Sequence, residues 1–351
     1  AQNGIEMMTG RFMQWAAKRG LDRLVIVNRI DADNVDLPAL IEKIQQAFGK
    51  ECLPLNLPAA RASRVSDCFF TPSGEADFSS VAEAHRKLVE QVVEVDEKLM
   101  EAYLEKGEVA PDDLHEPLER AMREGHLIPV VFTSAKTGAG IGELLEVIVK
   151  LLPNPAEGNP PVYLNVPADG GEATEITALP DPGRHVLAHV FKIEIDPYIG
   201  RLAVFRVHQG RITPGTQLFI GEGRKPVKAG HLYVLKGKTQ PEVDAAVPGD
   251  ICAIAKIDEI QFAHILHASV SDAHIHAKPL ELPVAVFGLA VQPKKRGDEQ
   301  KVSDVLHKLM AEDPCFRLEH NAQANETVMR GIGEMHLKVM LEKMAGQYKV
   351  E

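Results

Sequence analysis

The sequence has few cysteines, and none of them is spaced as a metal-binding or redox pair. Cys52, Cys68, Cys252 and Cys315 are scattered along 351 residues without a C-x-x-C pair. This spacing argues against a disulfide framework and against a zinc knuckle. It favours a reduced compartment, so we expect a cytoplasmic protein.

Long apolar runs and a signal sequence are also missing. No stretch approaches the roughly 20 apolar residues that a membrane-spanning helix needs. The first residues do not show the charged segment followed by an apolar segment that is typical of secretory signals. We therefore expect no membrane partner.

An excess of positive charge is missing as well. Lysine and arginine number 39 against 50 aspartates and glutamates, which gives a formal net charge of −11. Such a balance argues against a protein that coats nucleic acid by bulk attraction, and we expect no DNA partner. A local basic face that docks on RNA remains compatible with it.

The length and the 45% hydrophobic content are sufficient for two to four domains with proper cores. Residues 1–153 alternate helix and strand patterns, with an insertion at about 57–125, which predicts an α/β domain. A stretch rich in proline and glycine, residues 154–183, is predicted to be a linker. No catalytic residue and no metal ligand is predicted anywhere in the chain.

The remaining sequence has two further patterns. Residues 184–280 consist of short alternating runs with frequent turn signals, which predicts a small antiparallel β-barrel. Residues 281–351 read as strand, helix, two strands and helix, with a last strand beginning, which predicts a ferredoxin-like split βαβ domain. The predicted fold class is thus multidomain, α/β plus β plus α+β.

The most informative motif is Asn28-Arg29-Ile30-Asp31, directly after the apolar run 24–27. An aliphatic run that ends in a polar turn predicts a buried strand of a parallel sheet, and such sheets bind ligands at their carboxyl edges. Asp31 could accept from the ring N–H and the exocyclic amine of guanine, whereas adenine presents an acceptor there. Asn28 could reach the purine N7, and the stem of Arg29 could lie along the ring.

A second motif supports this interpretation. The apolar run 127–132 ends in Thr133-Ser134-Ala135-Lys136. This string resembles the turn with which guanine-nucleotide-binding proteins contact the base. The resemblance implies that the backbone N–H of Ala135 faces guanine O6, that Ser134 braces the aspartate loop, and that Ser134, Ala135 and Lys136 help to read the base.

Two other patterns suggest other functions. Gly138-Ala139-Gly140-Ile141-Gly142 lies between a strand and a helix, as a dinucleotide-binding loop would. Its spacing is G-x-G-x-G rather than G-x-G-x-x-G, so a dinucleotide enzyme is a distant alternative. The histidines between His264 and His276 could suggest a metal, but no acidic or cysteine ligand has matching spacing, which favours a polar linker.

The whole chain resembles bacterial translation elongation factor G, or a paralogue of it. The likeness rests on both base motifs and on three further strings, residues 200–215, 312–314 and 331–337. It implies part of a P-loop-GTPase-type G domain, then the barrel and the ferredoxin-like domain. The expected segment lacks the phosphate loop and switch region on its N-terminal side and two further domains on its C-terminal side.

The resemblance implies a ribosome-dependent GTP hydrolase in protein synthesis that acts in translocation or a related step. Its cofactor would be GTP or GDP with Mg²⁺, and its partners rRNA and ribosomal proteins. We expect a monomer. The motif G-x-x-x-x-G-K-[ST] occurs nowhere in the sequence, so we expect this chain alone not to hydrolyse GTP and not to retain GTP, GDP or Mg²⁺.

Two departures from the family pattern favour an alternative. Arg29 stands where lysine is usual, and residues 258–264 replace the family's Thr-Gly-Asp-Thr-Leu turn. The alternative is a paralogue that occupies the ribosomal factor site for protection or recycling without translocating, and so acts as a binding module.

Overall fold

The computed structural model describes residues 1–106, 109, 111–154, 161–167, 171–196, 198–295, 297–321 and 326–350. The chain divides into two compact units, residues 1–159 and 160–351. Among the residues just given, no helix combines the length and the apolar character that crossing a membrane requires.

The first unit is an α/β structure. In chain order its elements are α1 (Met7–Lys18), β1 (Val25–Val27), α2 (Leu37–Phe48), β2 (Cys52–Pro54), β3 (Asn56–Ala59), β4 (Arg64–Asp67), α3 (Val81–Val93), α4 (Glu97–Lys106), a 3₁₀ turn (Pro111–Leu114), α5 (His115–Glu124), β5 (Ile128–Phe132) and α6 (Ile141–Leu151).

A three-stranded parallel sheet with the order β1-β5-β2 forms the centre of this unit. All five residues of β5 are buried, as the unbroken apolar run predicts for a central parallel strand. The register pairs Val27 with Phe132. The polar turns that follow β1 and β5 therefore begin side by side at one edge of the sheet.

The sequence predicts a helix over residues 37–48 with Asp36 as its cap, and helix α2 has these bounds. The Oδ1 atom of Asp36 accepts from the backbone N–H of Ala39 at 3.0 Å, and Pro38 lies in the first turn. Proline suits this position because the first N–H groups of a helix have no partner within it.

The helical spacing of apolar residues predicts one long helix over residues 81–103. This prediction is wrong, because two helices, α3 and α4, occupy that stretch. Asp96 separates them: its Oδ1 accepts from the N–H groups of Lys98 and Leu99 and so caps α4. Its other oxygen binds Arg120 of α5 at 2.6 Å. The apolar stripe continues across the break, which is why the periodicity did not reveal it.

The second unit begins with strands and ends with α+β structure. Its elements are β6 (Val162–Asn165), β7 (Thr174–Thr177), β8 (Leu187–Asp196), β9 (Gly200–Gln209), β10 (Gln217–Ile220), β11 (Val227–Lys228), β12 (Leu232–Tyr233), β13 (Glu242–Val243), β14 (Ile251–Ala255), β15 (Ile265–His267), a 3₁₀ turn (Val270–Asp272), β16 (Ile275–Ala277), β17 (Phe287–Val291), α7 (Glu299–Glu312), β18 (Arg317–Asn321), β19 (Glu326–Gly331) and α8 (Glu334–Tyr348).

Eight strands form a curled antiparallel sheet in the order β11-β10-β15-β8-β9-β14-β12-β13. Its concave face encloses a core of alternate strand residues, among them Val190, Phe205 and Ile254. The last elements form the sheet β17-β19-β18 with α7 and α8 packed on one side. The predicted fold class, α/β followed by β and α+β, is confirmed.

The stretch predicted as a linker, residues 154–183, contains two strands. β6 and β7 pair with each other and with β16 in a separate three-stranded sheet. Tyr163 of β6 is buried there against Leu187 and Ile265 of the barrel sheet. The sequence signal was weak because each strand is only four residues long, and because β16, the second partner of β6, is distant along the chain.

Candidate functional site

The turns after β1 and β5 are joined by backbone hydrogen bonds. The N–H of Thr133 donates to the carbonyl of Val27 at 2.9 Å, and the N–H of Ile30 donates to the carbonyl of Thr133 at 3.2 Å. These bonds extend the parallel pairing beyond the strands. The two predicted motifs consequently form one surface at the carboxyl edge of the sheet, where parallel sheets bind ligands.

Ser134 links the two turns through its side chain. Its buried hydroxyl donates to Oδ1 of Asp31, with an oxygen–oxygen distance of 2.5 Å. The same Oγ accepts from the N–H of Thr137 at 3.2 Å. Because that N–H occupies a lone pair of Oγ, the hydroxyl hydrogen is directed at the carboxylate.

The Asp31 carboxylate is held in its ionised form. The hydrogen bond from Ser134 is the main cause that lowers the pKa of Asp31, and the positive charges of Lys136 and Arg29 lower the pKa further. A carboxylate has two oxygens that together accept about four hydrogen bonds. Asp31 therefore keeps acceptor capacity for a ligand after Ser134 is satisfied.

Asn28 fixes the relative position of both turns. Its Oδ1 accepts from the N–H of Ala135 at 3.0 Å and from the N–H of Arg29 at 2.8 Å. The sequence predicted that the Ala135 N–H faces a ligand, whereas here that group donates to Asn28. A ligand carbonyl at this position would share or replace the bond. The amide nitrogen of Asn28 keeps its two donors.

Arg29 and Lys136 are exposed on this surface. Arg29 has a backbone φ of 63°, in the left-handed region that residues with a side chain seldom adopt. Such strain is found where the surrounding structure holds a residue in a functional position. The exposed aliphatic part of the Arg29 side chain can pack along a flat ring.

The glycine-rich string after Ser134 has a structural explanation. Gly140 has a φ of 72°, and a Cβ there would lie 2.3 Å from the carbonyl oxygen of Phe132. Only glycine allows this close backbone approach. Gly138 also has positive φ, and its N–H donates to the carbonyl of Ser134. The string thus closes the turn behind β5, which accounts for Gly138 and Gly140 without a dinucleotide.

Asn56 belongs to the site's support and was not predicted from the sequence. This buried side chain on β3 accepts from the N–H of Phe132 at 2.7 Å and donates to its carbonyl at 3.2 Å. Both bonds hold the last residue of β5, directly before Thr133. The sequence signal that could have identified Asn56 is a single asparagine within the apolar string 52–59.

The histidines from His264 to His276 do not lie in a polar linker, and that prediction is wrong. They lie on or beside β15 and β16, and His267 is fully buried with its two ring nitrogens 2.7 Å from the carbonyl oxygens of Ser269 and Gly221. His264 accepts from the N–H of Gln261. In the described parts of the chain, no group of three or more potential ligands could hold a metal ion.

The site has the donors and acceptors that a guanine base requires. An ionised carboxylate suits two adjacent N–H donors, and an amide with free donors suits a ring nitrogen. Both groups are fixed by hydrogen bonds before any ligand arrives, which lowers the cost of binding. Adenine presents an acceptor where Asp31 needs a donor.

Comparisons with known proteins agree with this chemistry. Three family profiles match in order: the elongation factor Tu GTP-binding domain over residues 1–154, elongation factor G domain 2 over residues 185–264, and elongation factor G domain III over residues 282–351. A crystal structure of a Thermus thermophilus protein is similar over all of this chain, with 30% identity and a TM-score of 0.79. The chain spans 52% of that protein, about half its length.

Proposed function

The chain belongs to the elongation factor G-like translational GTPases, and on that premise we propose that it binds guanine nucleotides through the turns after β1 and β5. The observation that carries the proposal is the pair of hydrogen bonds that join these turns, Ser134 to Asp31 and Ala135 to Asn28. Asp31 accepts from guanine, Asn28 reaches N7, and Arg29 stacks on the ring. Lys136 supplies positive charge beside the carboxylate.

The intact protein hydrolyses GTP on the ribosome and acts in translocation or a related step of protein synthesis. GTP or GDP with Mg²⁺ is its cofactor, and rRNA and ribosomal proteins are its partners. It works as a monomer in the cytoplasm. Residues 1–153 are the distal part of the G domain, with the insertion at about 57–125. Residues 154–183, which include β6 and β7, follow it. Residues 184–280 are the barrel, and residues 281–351 are the ferredoxin-like domain.

This chain alone does not turn over GTP. Phosphoryl transfer needs a phosphate cradle, a metal ion and a positioned water together, and G-x-x-x-x-G-K-[ST] is absent from the sequence. Without the cradle, we expect GDP to bind no tighter than about millimolar.

The test is ribosome-stimulated GTP hydrolysis by the full-length gene product. We expect ribosomes to accelerate hydrolysis of GTP and not of ATP. The 351-residue chain, assayed in parallel, should leave GTP intact. A full-length product that ribosomes do not stimulate would contradict the proposed GTPase.

A second candidate is a ribosome-binding paralogue that does not translocate. The turn at residues 258–264 favours it, because this turn differs from the family's usual string. Its Ile260 is fully buried, and the Ile260 carbonyl accepts from the guanidinium of Arg201 at 2.5 Å. GTP hydrolysis on ribosomes without movement of tRNA and mRNA would support this candidate over a translocase.

A further inference from the structure

Four polar side chains share the space between the outer face of the curled sheet and the small sheet β16-β6-β7. They are Tyr163 of β6, His189 of β8, and Arg206 and His208 of β9. None of them belongs to the base site described above.

Tyr163 is the innermost member. Only 1% of the residue is exposed, and its hydroxyl has no hydrogen-bond partner in the described structure. Buried hydroxyl groups in proteins almost always have a partner, because leaving one unpaired is costly. A group that supplies an acceptor for this hydroxyl is therefore expected.

His189 also carries a buried polar atom without a partner. Its Nε2 atom is buried and also has no hydrogen-bond partner among the described residues. The antiparallel register of β8 and β9 pairs His189 directly with Arg206. Directly paired residues of an antiparallel sheet project to the same face. The imidazole and the guanidinium consequently leave the sheet side by side.

A β-bulge brings His208 to the group. Leu187 pairs with Gln209 and Ala188 pairs with Val207, so His208 is an extra residue between two paired positions. Bulges change the direction of a side chain and occur often beside functional sites. The His208 ring lies 5.6 Å from the ring of Tyr163, with an interplanar angle of 72°.

The electrostatics of the group favour an anion. Burial is the main cause that lowers the pKa of His208 to about 4, and the charges of His189 and Arg206 contribute to the same shift. Burial raises the pKa of Tyr163 and keeps it a neutral phenol, although the charge of Arg206 opposes this shift in part. At neutral pH the group thus combines one fixed positive charge with a phenol and two imidazoles, each able to donate an N–H or O–H.

We propose that Tyr163, His189, Arg206 and His208 form a binding site for a tetrahedral oxyanion of the phosphate type. The oxyanion would accept from the unpaired hydroxyl and from Nε2 of His189, and Arg206 would balance its charge. A metal cation does not suit the group, because the guanidinium would repel it. The two histidines and Arg206 are partly exposed, which leaves an entrance toward solvent.

The first test compares Tyr163→Phe with the control Tyr198→Phe. Tyr198 lies in the same unit and is 96% exposed, so its hydroxyl is already hydrated. Thermal unfolding is followed at about pH 7 in chloride buffer, with inorganic phosphate raised to about 10 mM at constant ionic strength. Phosphate at about ten times its Kd should raise the Tm of wild type and Tyr198→Phe by about 3 °C, and leave Tyr163→Phe unchanged.

The same experiment distinguishes an anion from a buried water molecule. Without phosphate, Tyr163→Phe should be at least as stable as wild type, because it removes an unpaired hydroxyl. If Tyr163→Phe instead loses the same stability in both buffers and phosphate stabilises no variant, a bound water satisfies the hydroxyl and the proposal is wrong.

A second readout is the NMR titration of the His208 ring. Binding and protonation are linked reciprocally, so an anion bound beside the ring must raise the pKa of His208. A His208 pKa that phosphate does not change would overturn the proposal. Glycerol phosphate, run in parallel, identifies the source: an equal effect indicates a phosphate ester as ligand, and an effect of inorganic phosphate alone indicates the free ion.

Discussion

At the scale of single residues, the hydroxyl of Ser134 determines the state of the candidate base site. Its hydrogen bond is the largest cause of the lowered pKa of Asp31. The hydroxyl is oriented by the N–H of Thr137. One buried hydroxyl thus keeps the carboxylate both ionised and fixed in direction.

Replacing Ser134 by alanine should raise the pKa of Asp31 toward its ordinary value, because the main stabilising hydrogen bond is lost. The measurement is a carboxyl-carbon NMR titration of Asp31. Ser63→Ala is the control, since that exposed hydroxyl donates to the carbonyl of Ala60 in another turn. An Asp31 pKa that is equal in wild type and Ser134→Ala would contradict the assigned role.

The same shift has a consequence for stability. A carboxyl whose pKa is lower in the folded state stabilises the fold above its unfolded pKa of about 3.9, and this contribution disappears as pH falls through the folded value. The part of the stability difference between wild type and Ser134→Ala that comes from Asp31 should therefore be complete at neutral pH, begin to fall near about pH 4, and vanish only below the folded pKa of Asp31.

His208 should make the second unit less stable as pH falls. Its folded pKa of about 4 lies below the ordinary histidine value of 6.5, so the unfolded chain takes up a proton first. Between about pH 7 and about pH 4.5 wild type should lose about 2 kcal/mol of unfolding free energy through this residue. Urea unfolding in phosphate-free buffer at both pH values measures this loss of unfolding free energy. His208→Phe should lack the part of the loss that comes from protonation of His208. An identical pH dependence in both proteins would refute this.

At the scale of elements, the turn after β5 depends on backbone geometry. Gly140 should not tolerate alanine, because φ is 72° and the new Cβ would lie 2.3 Å from the Phe132 carbonyl oxygen. Gly140→Ala should cost about 2 kcal/mol or more. Gly142→Ala is the matched control: it lies in α6 with open space around its Cβ position. That change should stabilise by about 0.5–1 kcal/mol, and urea unfolding compares the two.

The opposite order of stability, with Gly140→Ala unaffected, would show that the turn can adopt a different backbone conformation. The candidate site would then lose its geometric basis, because Ser134 is held by the same turn. The backbone N–H of Ser134 donates to the carbonyl of Ala139, the residue directly before Gly140.

The sequence predicted elements that local signals determine. Asp36 with Pro38 located the start of α2, and the buried run of β5 gave a strand between residues 128 and 132. It did not predict Asn56, whose two bonds to Phe132 span 76 residues of sequence. Contacts of this kind depend on which strands become neighbours, and neither periodicity nor propensity contains that information.

Part of the candidate site was predictable from local sequence signals as well. Asn28, Asp31, Ser134 and Ala135 each follow a recognisable strand, and the carboxyl ends of parallel strands meet at one edge. The contact of Ser134 with the Asp31 loop was expected from the family resemblance, but the particular donor that Asn28 accepts from was not predictable. The donation of the Ala135 N–H to Asn28 depends on side-chain orientation across 107 residues.

At the scale of the whole molecule, Glu312 couples the curled sheet to the last domain within the second unit. Its Oε1 accepts from the N–H of Ile195 on β8 at 2.8 Å, and its Oε2 lies 3.5 Å from the Lys343 ammonium. Ala311 beside it packs against the barrel core. Both parts should therefore unfold as one cooperative unit.

Glu312→Ala should lower the unfolding free energy by about 2 kcal/mol, because it leaves the Ile195 N–H without its charged acceptor. Glu319→Ala is the control, since Glu319 forms an exposed pair with Arg330 that should contribute about 1 kcal/mol or less. Urea unfolding followed by a probe in each part tests this. Equal effects of both variants would contradict the coupling.

We propose that Asp31 reads guanine, and a change of base specificity tests this role most directly. Xanthine carries a carbonyl where guanine carries its exocyclic amine. Asn at position 31 would offer a donor to that carbonyl and still accept from the ring N–H. The experiment is an NMR titration of wild type and Asp31→Asn with GDP, xanthosine diphosphate (XDP) and ADP at millimolar concentrations. We predict that GDP shifts the amide signals of residues 28–31 and 134–136 in wild type, that XDP does so in Asp31→Asn, and that ADP does so in neither. Equal responses of both proteins to GDP, or none of wild type to GDP, would contradict the assignment of this site.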